Sequence, residues 1–281
     1  MKDTSDKRAN FHYILPMQPG RSALLNVMTA AAVKAGKAVL RDFSELGKLQ
    51  VSRKGTADFA TNADRRSEKI LHQELSKARP TYSFVMEESG EIAGSDPTLR
   101  FVIDPIDGTN NFIHAIPYFC ISVAAEKQLN NGKFETQAGV IYDPISNELF
   151  TAELYQGAFV NNQRLMVSGR SEPDTLMFAT FIPHNEGSHA TQAARIMATL
   201  ATEPFLLRVT GSTALDLAYV AAGRYDGACF VSYKSWDVAA GKLLVREAGG
   251  QTFENEDPAK KLLFASNPHI HAKLSAKLQA A

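Results

Sequence analysis

Charge of one sign, cysteine and long apolar runs are all in short supply in this chain. Lysine and arginine together number 30, as do aspartate and glutamate, so the formal net charge is +0 over 281 residues. No overall field therefore favours nucleic acid or an anionic membrane surface; a local basic patch is still compatible with this balance. Cysteine occurs twice, at Cys120 and Cys229, far apart and inside apolar stretches. Neither lies in a CxxC or zinc-ligand spacing, so we read both as buried reduced thiols of a cytoplasmic protein rather than as a disulfide. No run of about 18 apolar residues is found, and the opening MKDTSDKRAN is too polar for the core of a signal peptide. Internal repeats and low-complexity tracts are lacking too. A soluble, cytoplasmic protein without a membrane anchor is expected, with residues 1–20 as a loose extension.

What is present is ordinary globular composition, 44% hydrophobic and 21% charged, in a chain long enough for a large core. Leu24, Leu25, Met28, Ala31, Ala32, Ala35 and Val39 recur at helical spacing and predict a helix over 21–43. A polar stretch with Lys54, Gly55, Asp58 and Thr61 follows, then a helix over 64–78 stopped by Pro80. Residues 100–104 read as a short strand that ends abruptly at Pro105. Strand-like runs over 119–125, 137–142 and 148–153 follow, and a hairpin over 157–167 turns at Asn161-Asn162. From residue 176 onward strands alternate with helices over 190–200, 213–222, 236–248 and 269–278. The expectation is an α/β protein, mixed α+β in a first unit over 21–167 and layered α/β in a second over 168–281.

The densest chemistry lies in Asp104-Pro105-Ile106-Asp107-Gly108-Thr109. Two carboxylates stand three residues apart just past a buried strand, Pro105 stiffens the turn, and Gly108 allows close backbone approach to a ligand. A hard divalent cation needs several oxygen ligands; Asp104 and Asp107 can supply two, with a backbone carbonyl between them. The amides of Gly108 and Thr109 can point at phosphate. Taken singly, the segment also fits a plain Asp-Pro turn followed by an Asx-Gly turn. Glu87-Glu88, after the run 82–85, also fits a solvated strand edge. Asp64 and Asp237, each at an expected helix start, also fit first-turn stabilisation of the helix dipole. Gly211-Ser212-Thr213 opens a helix and serves equally as an anion-binding wall or as a plain cap with Ser212 or Thr213. Four acids flanking apolar strands and helix starts are harder to dismiss together than one by one.

Jointly, Lys54…Asp58…Thr61-x-Ala63-Asp64, Glu87-Glu88-Ser89, Asp104-Pro105-Ile106-Asp107-Gly108-Thr109-x-Asn111-Phe112 and Trp236-Asp237-x-Ala239-Ala240-Gly241 resemble the signature of the inositol monophosphatase family in order and spacing. The likeness runs from about Arg21 to the C-terminus, and Gly211-Ser212 with the stretch 216–224 is similar to bacterial members. It implies the sugar-phosphatase fold, a layered αβαβα sandwich, usually as a homodimer, with Li⁺ sensitivity. It further implies two or three Mg²⁺ ions held by the side chains of Glu87, Asp104, Asp107 and Asp237 and the carbonyl of Ile106, with Asp64 binding a further metal. Asp64 and Thr109 would orient the attacking water, Glu87 would share in catalysis, and Gly108, Thr109, Gly211, Ser212 and Asp237 would meet the substrate. The implied chemistry is hydrolysis of a small phosphorylated alcohol by metal-activated water, with Thr109 relaying a proton. Inositol 1-phosphate is the first substrate implied. Fructose 1,6-bisphosphate, NADP, histidinol phosphate and 3′-phosphoadenosine phosphate are alternatives, as is a binding role in transcription or ribosome assembly, which the neutral charge does not support. Three positions depart from the family pattern: Met86 stands for a usual Gly, Asn110 for a Thr, and Phe230 for a Glu that contacts substrate hydroxyls. A polyol would lose an acceptor at Phe230 and face an aromatic ring, leaving Tyr233 or Lys234 to meet a different polar group.

Overall fold

The computed structural model describes residues 21–49, 53–181, 188–255, 257 and 261–280. The expected extension over residues 1–20, and the side chains of Lys54 and Asp58, lie outside the described residues. The chain opens with two long helices, α1 (Ala23–Leu49) and α2 (Arg53–Ala78). Eight strands follow: β1 (Tyr82–Met86), β2 (Gly90–Ile92), β3 (Asp96–Asp107), β4 (Cys120–Gln128), β5 (Phe134–Asp143), β6 (Glu148–Glu153), β7 (Gly157–Val160) and β8 (Gln163–Arg164), with a short helix α3 (Thr109–Ile113) after β3. The remainder is β9 (Met177–Thr180), α4 (Ser188–Ala201), β10 (Leu206–Val209), α5 (Thr213–Ala221), β11 (Gly227–Val231), α6 (Ser235–Glu247), β12 (Gln251–Asn255), β13 (Leu262–Ser266) and α7 (Pro268–Ala280).

The strands form two sheets, of order β2-β1-β3-β4-β5-β6-β7-β8 and β10-β9-β11-β13-β12. In the first, β1 and β3 run parallel and the other neighbours antiparallel. In the second, β9, β10 and β11 are parallel. Three apolar cores follow from the five layers. Helices α1 and α2 cover one face of the first sheet, α5 and α6 fill the space between the sheets, and α4 and α7 cover the far face of the second. The mixed α/β class and the αβαβα layering expected from the sequence are what the chain adopts.

Several elements differ from the reading of the sequence. Helix α2 begins at Arg53, because its first three turns are polar and carry no apolar stripe to mark them. Strand β3 runs through Asp107 instead of stopping at Pro105, and β2 and α3 had no periodic signal at three and five residues. Helix α1 is long and apolar enough between Ala23 and Leu46 to cross a membrane, by length and composition alone, although no unbroken apolar run marks it. Its Leu25, Met28, Ala31, Ala32, Ala35 and Val39 are buried in the core over the first sheet.

The central pair of helices packs too closely for side chains at one contact. A Cβ added at Gly241 of α6 would stand 2.5 Å from Cβ and 2.6 Å from Cδ1 of Leu217 on α5. Since α6 carries Asp237, the glycine sets how deeply the helix sits against its neighbour. Gly241→Val should cost roughly 1–3 kcal/mol by overpacking, measured as a lower denaturant midpoint with an unchanged slope.

Candidate active site

The acids converge because of where the strands and helices end. β1 and β3 are parallel, with Met86 opposite Ile103, so Glu87 and Asp104 leave the sheet side by side at its carboxyl end. Residues three apart in a regular strand face opposite ways; here the pairing of β3 with β4 shifts register between Asp104 and Asp107. Carboxylate oxygens of Asp104, Asp107 and Asp237 accordingly lie within 4.8 Å of one another. Asp237 reaches this cluster from the third position of α6, where its Oδ2 also accepts the backbone N–H of Lys234 at 2.8 Å.

Asp107 is held by another helix start. It accepts the N–H of Ala214 at 2.7 Å, the N–H of Thr213 at 3.3 Å and the hydroxyl of Ser212 at 2.5 Å. The α5 N-terminus is thus capped by an acid from the first sheet, and the side chain of its own N-cap, Ser212, makes no capping bond. The plain cap by the side chain of Ser212 or Thr213 is thus replaced by Asp107, while Gly211 and Thr213 line the cleft described below. The Ser212 hydroxyl is buried and donates to Asp107, and Ser212 is not among the residues that line the cleft.

Asp64 lies deep within α2, eleven residues past the helix start at Arg53, so first-turn dipole stabilisation does not account for it. It is buried, and its Oδ1 has no hydrogen-bond partner. Burial, then Glu87, Glu88 and Glu68 push its carboxyl up to about 8. Glu87 is exposed as a residue, but its carboxyl turns inward to Asp104 and is raised to about 7, chiefly by desolvation. Desolvation and then Asp107 raise Asp237 to about 7. Asp104 is pushed well up by burial and by Glu87, Asp107 and Asp237. Burial also raises Asp107, against the bonds donated by α5.

The turn between Asp104 and α3 is tightly bonded. The Ile106 N–H donates to Asp104 Oδ1 at 3.0 Å, the Ile106 carbonyl accepts the Thr109 hydroxyl at 3.0 Å, and the Pro105 carbonyl accepts the Ser67 hydroxyl at 2.9 Å. Gly108 adopts φ 101°, and a Cβ there would stand 3.1 Å from the Tyr118 carbonyl. A cleft of about 310 Å³ opens over this turn, lined by Glu87, Asp104, Ile106, Asp107, Gly108, Thr109, Asn110, Phe181, Gly211, Thr213, Phe230, Ser232, Tyr233 and Asp237. Gly211 thus lines it, whereas Asp64 sits behind the acids. Phe230 borders the cleft from beneath and has no exposed surface. The aromatic ring expected to face a polyol is therefore part of the floor's packing.

Three supporting residues escaped the sequence reading. Glu68, buried, accepts the Glu88 N–H at 2.9 Å and the Ser89 hydroxyl, fixing the turn that carries Glu87. Its position four residues after Asp64 on one helix face was the available signal. Asn111 donates to the Tyr118 carbonyl at 2.7 Å and the Thr210 carbonyl at 2.8 Å, tying α3 to the loop before α5. The Ser67 hydroxyl had no signal beyond adjacency. A set of hard carboxylate oxygens with one buried oxygen left unpartnered fits a hard divalent cation, with Glu87, Asp104, Asp107, Asp237 and Asp64 as candidate ligands.

The model of the inositol monophosphatase family matches residues 21–281. The chain is 45% identical over 267 residues to the inositol-1-monophosphatase of Rhizobium meliloti (strain 1021), covering 92% of this chain and 97% of that protein. It is 43% identical over 227 residues to the Nus factor SuhB of Escherichia coli (strain K12), covering 81% and 83%. Its fold matches the crystal structure of the extragenic suppressor protein suhB from Bartonella henselae with a TM-score of 0.80 at 47% identity, covering 92% of this chain and 99% of that one.

Raised carboxyl values have a signed consequence. Unfolded Asp and Glu release their protons near pH 4, whereas Asp64, Glu87 and Asp237 hold theirs to about 8, 7 and 7. Between these limits the folded state binds more protons, so stability falls as pH rises. In EDTA the melting temperature should drop between pH 5 and pH 8 and flatten above it. Asp64→Asn should reduce that drop, and a divalent cation should restore stability at pH 8.

Proposed function

The chain belongs to the inositol monophosphatase family, phosphoric monoester hydrolases, and from that premise we propose Mg²⁺-dependent hydrolysis of small phosphomonoesters, inositol 1-phosphate among them. The observation that carries this reading is the convergence of Asp104, Asp107 and Asp237 within 4.8 Å at the floor of the cleft. Glu87, Asp104, Asp107, Asp237 and the Ile106 carbonyl are the proposed ligands, with Asp64 for a further ion. Bound there, Mg²⁺ supplies charge for the phosphoryl oxygens and the leaving alkoxide and acidifies water.

The protein's own groups do the rest. Backbone amides of Gly108 and Thr109, at the bend into α3, are the proposed phosphate donors. The Thr109 hydroxyl, which donates to the Ile106 carbonyl at 3.0 Å, would accept a proton from the attacking water on its oxygen and release its own hydrogen from that carbonyl to a carboxylate. The unpartnered Asp64 Oδ1 is the proposed terminal proton acceptor, which its raised affinity for a proton suits. Gly211 also lines the cleft, and a Cβ there would stand 3.1 Å from the Asn111 side chain. We place the enzyme in the cytoplasm as a Li⁺-sensitive homodimer; the exposed Leu206 and Val209 on edge strand β10 are apolar surface suited to a partner copy. A second reading, a binding role in transcription, is favoured by the likeness to the protein named Nus factor SuhB. Phosphate release from a panel of phosphomonoesters with Mg²⁺, with and without Li⁺, tests the first reading, and no release from any ester would favour the second.

Asp107→Asn should cut turnover at least about a hundredfold, since several kcal/mol of transition-state charge stabilisation depends on the ligand it removes. Its amide oxygen can still accept the Ala214 N–H, so the melting temperature should stay near that of the wild type. Phosphate release across a Mg²⁺ series, with a melting curve alongside, checks both halves; a near-normal rate at ordinary Mg²⁺ would refute the assigned role.

Substrate choice forms the second expectation. With Phe230 buried and no acid at that wall, kcat/KM for inositol 1-phosphate and for other small neutral-alcohol phosphates should agree within about tenfold. Phe230→Glu would place a carboxylate at a fully buried position. It should lower the melting temperature without lowering KM for inositol 1-phosphate, which steady-state kinetics and a melting curve will show together.

A further inference from the structure

The turn that leads into α5 carries a second set of bonds, made outside the acid cluster. Thr210 stands in this turn and Tyr118 just before β4. Their backbones are joined through Asn111, whose side-chain amide donates to the Tyr118 carbonyl at 2.7 Å and to the Thr210 carbonyl at 2.8 Å. Their side chains are joined through Asp216. It accepts the Tyr118 hydroxyl on Oδ1 at 2.7 Å and the Thr210 hydroxyl on both oxygens at 2.7 Å. The same two residues are thus tied twice, once by their carbonyls and once by their hydroxyls.

Asp216 can make this tie because it lies in the first turn of α5. Helical side chains lean toward the N-terminus, so its carboxylate reaches back over the turn. It is buried, and no ion pair among the described residues includes it. An apolar side chain would fill the same space without the cost of burying a carboxylate. What the carboxylate adds is a pair of oxygens that hold donors from two separate segments at one separation. Gly211 follows Thr210, adopts the left-handed conformation at φ 87° and lines the cleft. A side chain there would crowd Asn111, whose amide nitrogen stands 3.1 Å from the position of a Cβ. Asp107 meanwhile holds Ser212, Thr213 and Ala214. The start of α5 is therefore fixed by one acid inside the cluster and one outside it.

We propose that Asp216 is a positioning residue for substrate binding: by fixing Thr210 against Tyr118 it sets where Gly211 stands at the cleft, and so how closely the ester packs there. The proposal rests on the phosphatase reading and adds to it a residue that does not itself line the cleft. A wall left free to move must be ordered again by each ester that binds, which weakens binding. Asp107 keeps its bonds to α5 when the Asp216 tie is cut, so the loss falls on KM and leaves the chemical step in place.

The test measures kcat, KM and the half-saturating Mg²⁺ concentration for inositol 1-phosphate and glycerol 2-phosphate, with a melting curve for each protein. The proteins are the full-length wild type, Asp216→Asn, Thr210→Val, Thr210→Ser and the double variant Asp216→Asn/Thr210→Val. Asp216→Asn and Thr210→Val should each raise KM about fivefold, with kcat within about twofold of the wild type and the Mg²⁺ requirement unchanged. Thr210→Ser, which keeps the hydroxyl, should retain the wild-type KM. The double variant should match Asp216→Asn alone, because both changes cut one tie. Should Asp216→Asn fail to fold, Tyr118→Phe decides in its place: it removes one donor, keeps the ring and should raise KM in the same way. An unchanged KM in the folded variants, a loss confined to kcat, or a raised Mg²⁺ requirement overturns the proposal while leaving the phosphatase reading intact. Release of phosphate from neither ester by the wild type would overturn both.

Discussion

Helix N-termini holding carboxylates against one another are the constraint on which this structure turns. Asp107 arrives from the end of β3 and takes the first amides of α5; Asp237, at the third position of α6, takes the amide of Lys234 just before that helix. The Asp107 bonds join residues 106 and 107 apart in sequence and tie the end of β3 in the first sheet to α5 in the middle layer, whereas the Asp237 bond closes the start of α6 on itself. The partial positive charge of a helix start offsets part of a carboxylate's burial cost. That compensation offsets part of the repulsion among three acids that lie within 4.8 Å of one another. It is incomplete, because Asp104 has no helix start of its own and Asp64 has an oxygen with no partner at all.

Incomplete compensation links stability to function. A domain selected for stability alone would replace Asp64 with an amide or an apolar residue, since an unpaired buried carboxylate is costly. Retaining it makes sense where a cation or a migrating proton completes the arrangement. Its surroundings reinforce this: Glu68 is spent on holding the Glu88-Ser89 turn, which points Glu87 at Asp104. The short Thr109–Ile113 helix is tied down by Asn111 to the loop before α5. The acids and the proposed phosphate donors of the Gly108 bend thus rest on rigid elements, as positioning of a reacting centre requires.

The other wall of the cleft follows a different logic. Phe230 belongs to the apolar core between the sheets, so its ring stabilises the fold and contacts little else. That side of the cleft presents Ser232 and Tyr233 from the turn between β11 and α6.

Much of this was legible in the sequence. Apolar stripes at helical spacing marked α1, α5 and α6, and the Asp104 and Trp236 motifs marked the acids that meet. Elements without a stripe were not legible: the polar first turns of α2, the three-residue β2 and the five-residue α3. Spacing along the chain also could not distinguish a helix front from a helix interior, so Asp64 seemed open to a dipole role that its position in α2 removes. Nor could it show that Ser212 gives its hydroxyl to Asp107, or that Phe230 lies wholly under the floor. By itself the sequence determined the layered class, the family and the acid set, because periodicity and short motifs are local properties. The tertiary structure alone decided which acid caps which helix and which oxygen stays unpartnered, because those depend on groups as far apart in sequence as Asp107 and Ala214 reaching contact only when the layers close.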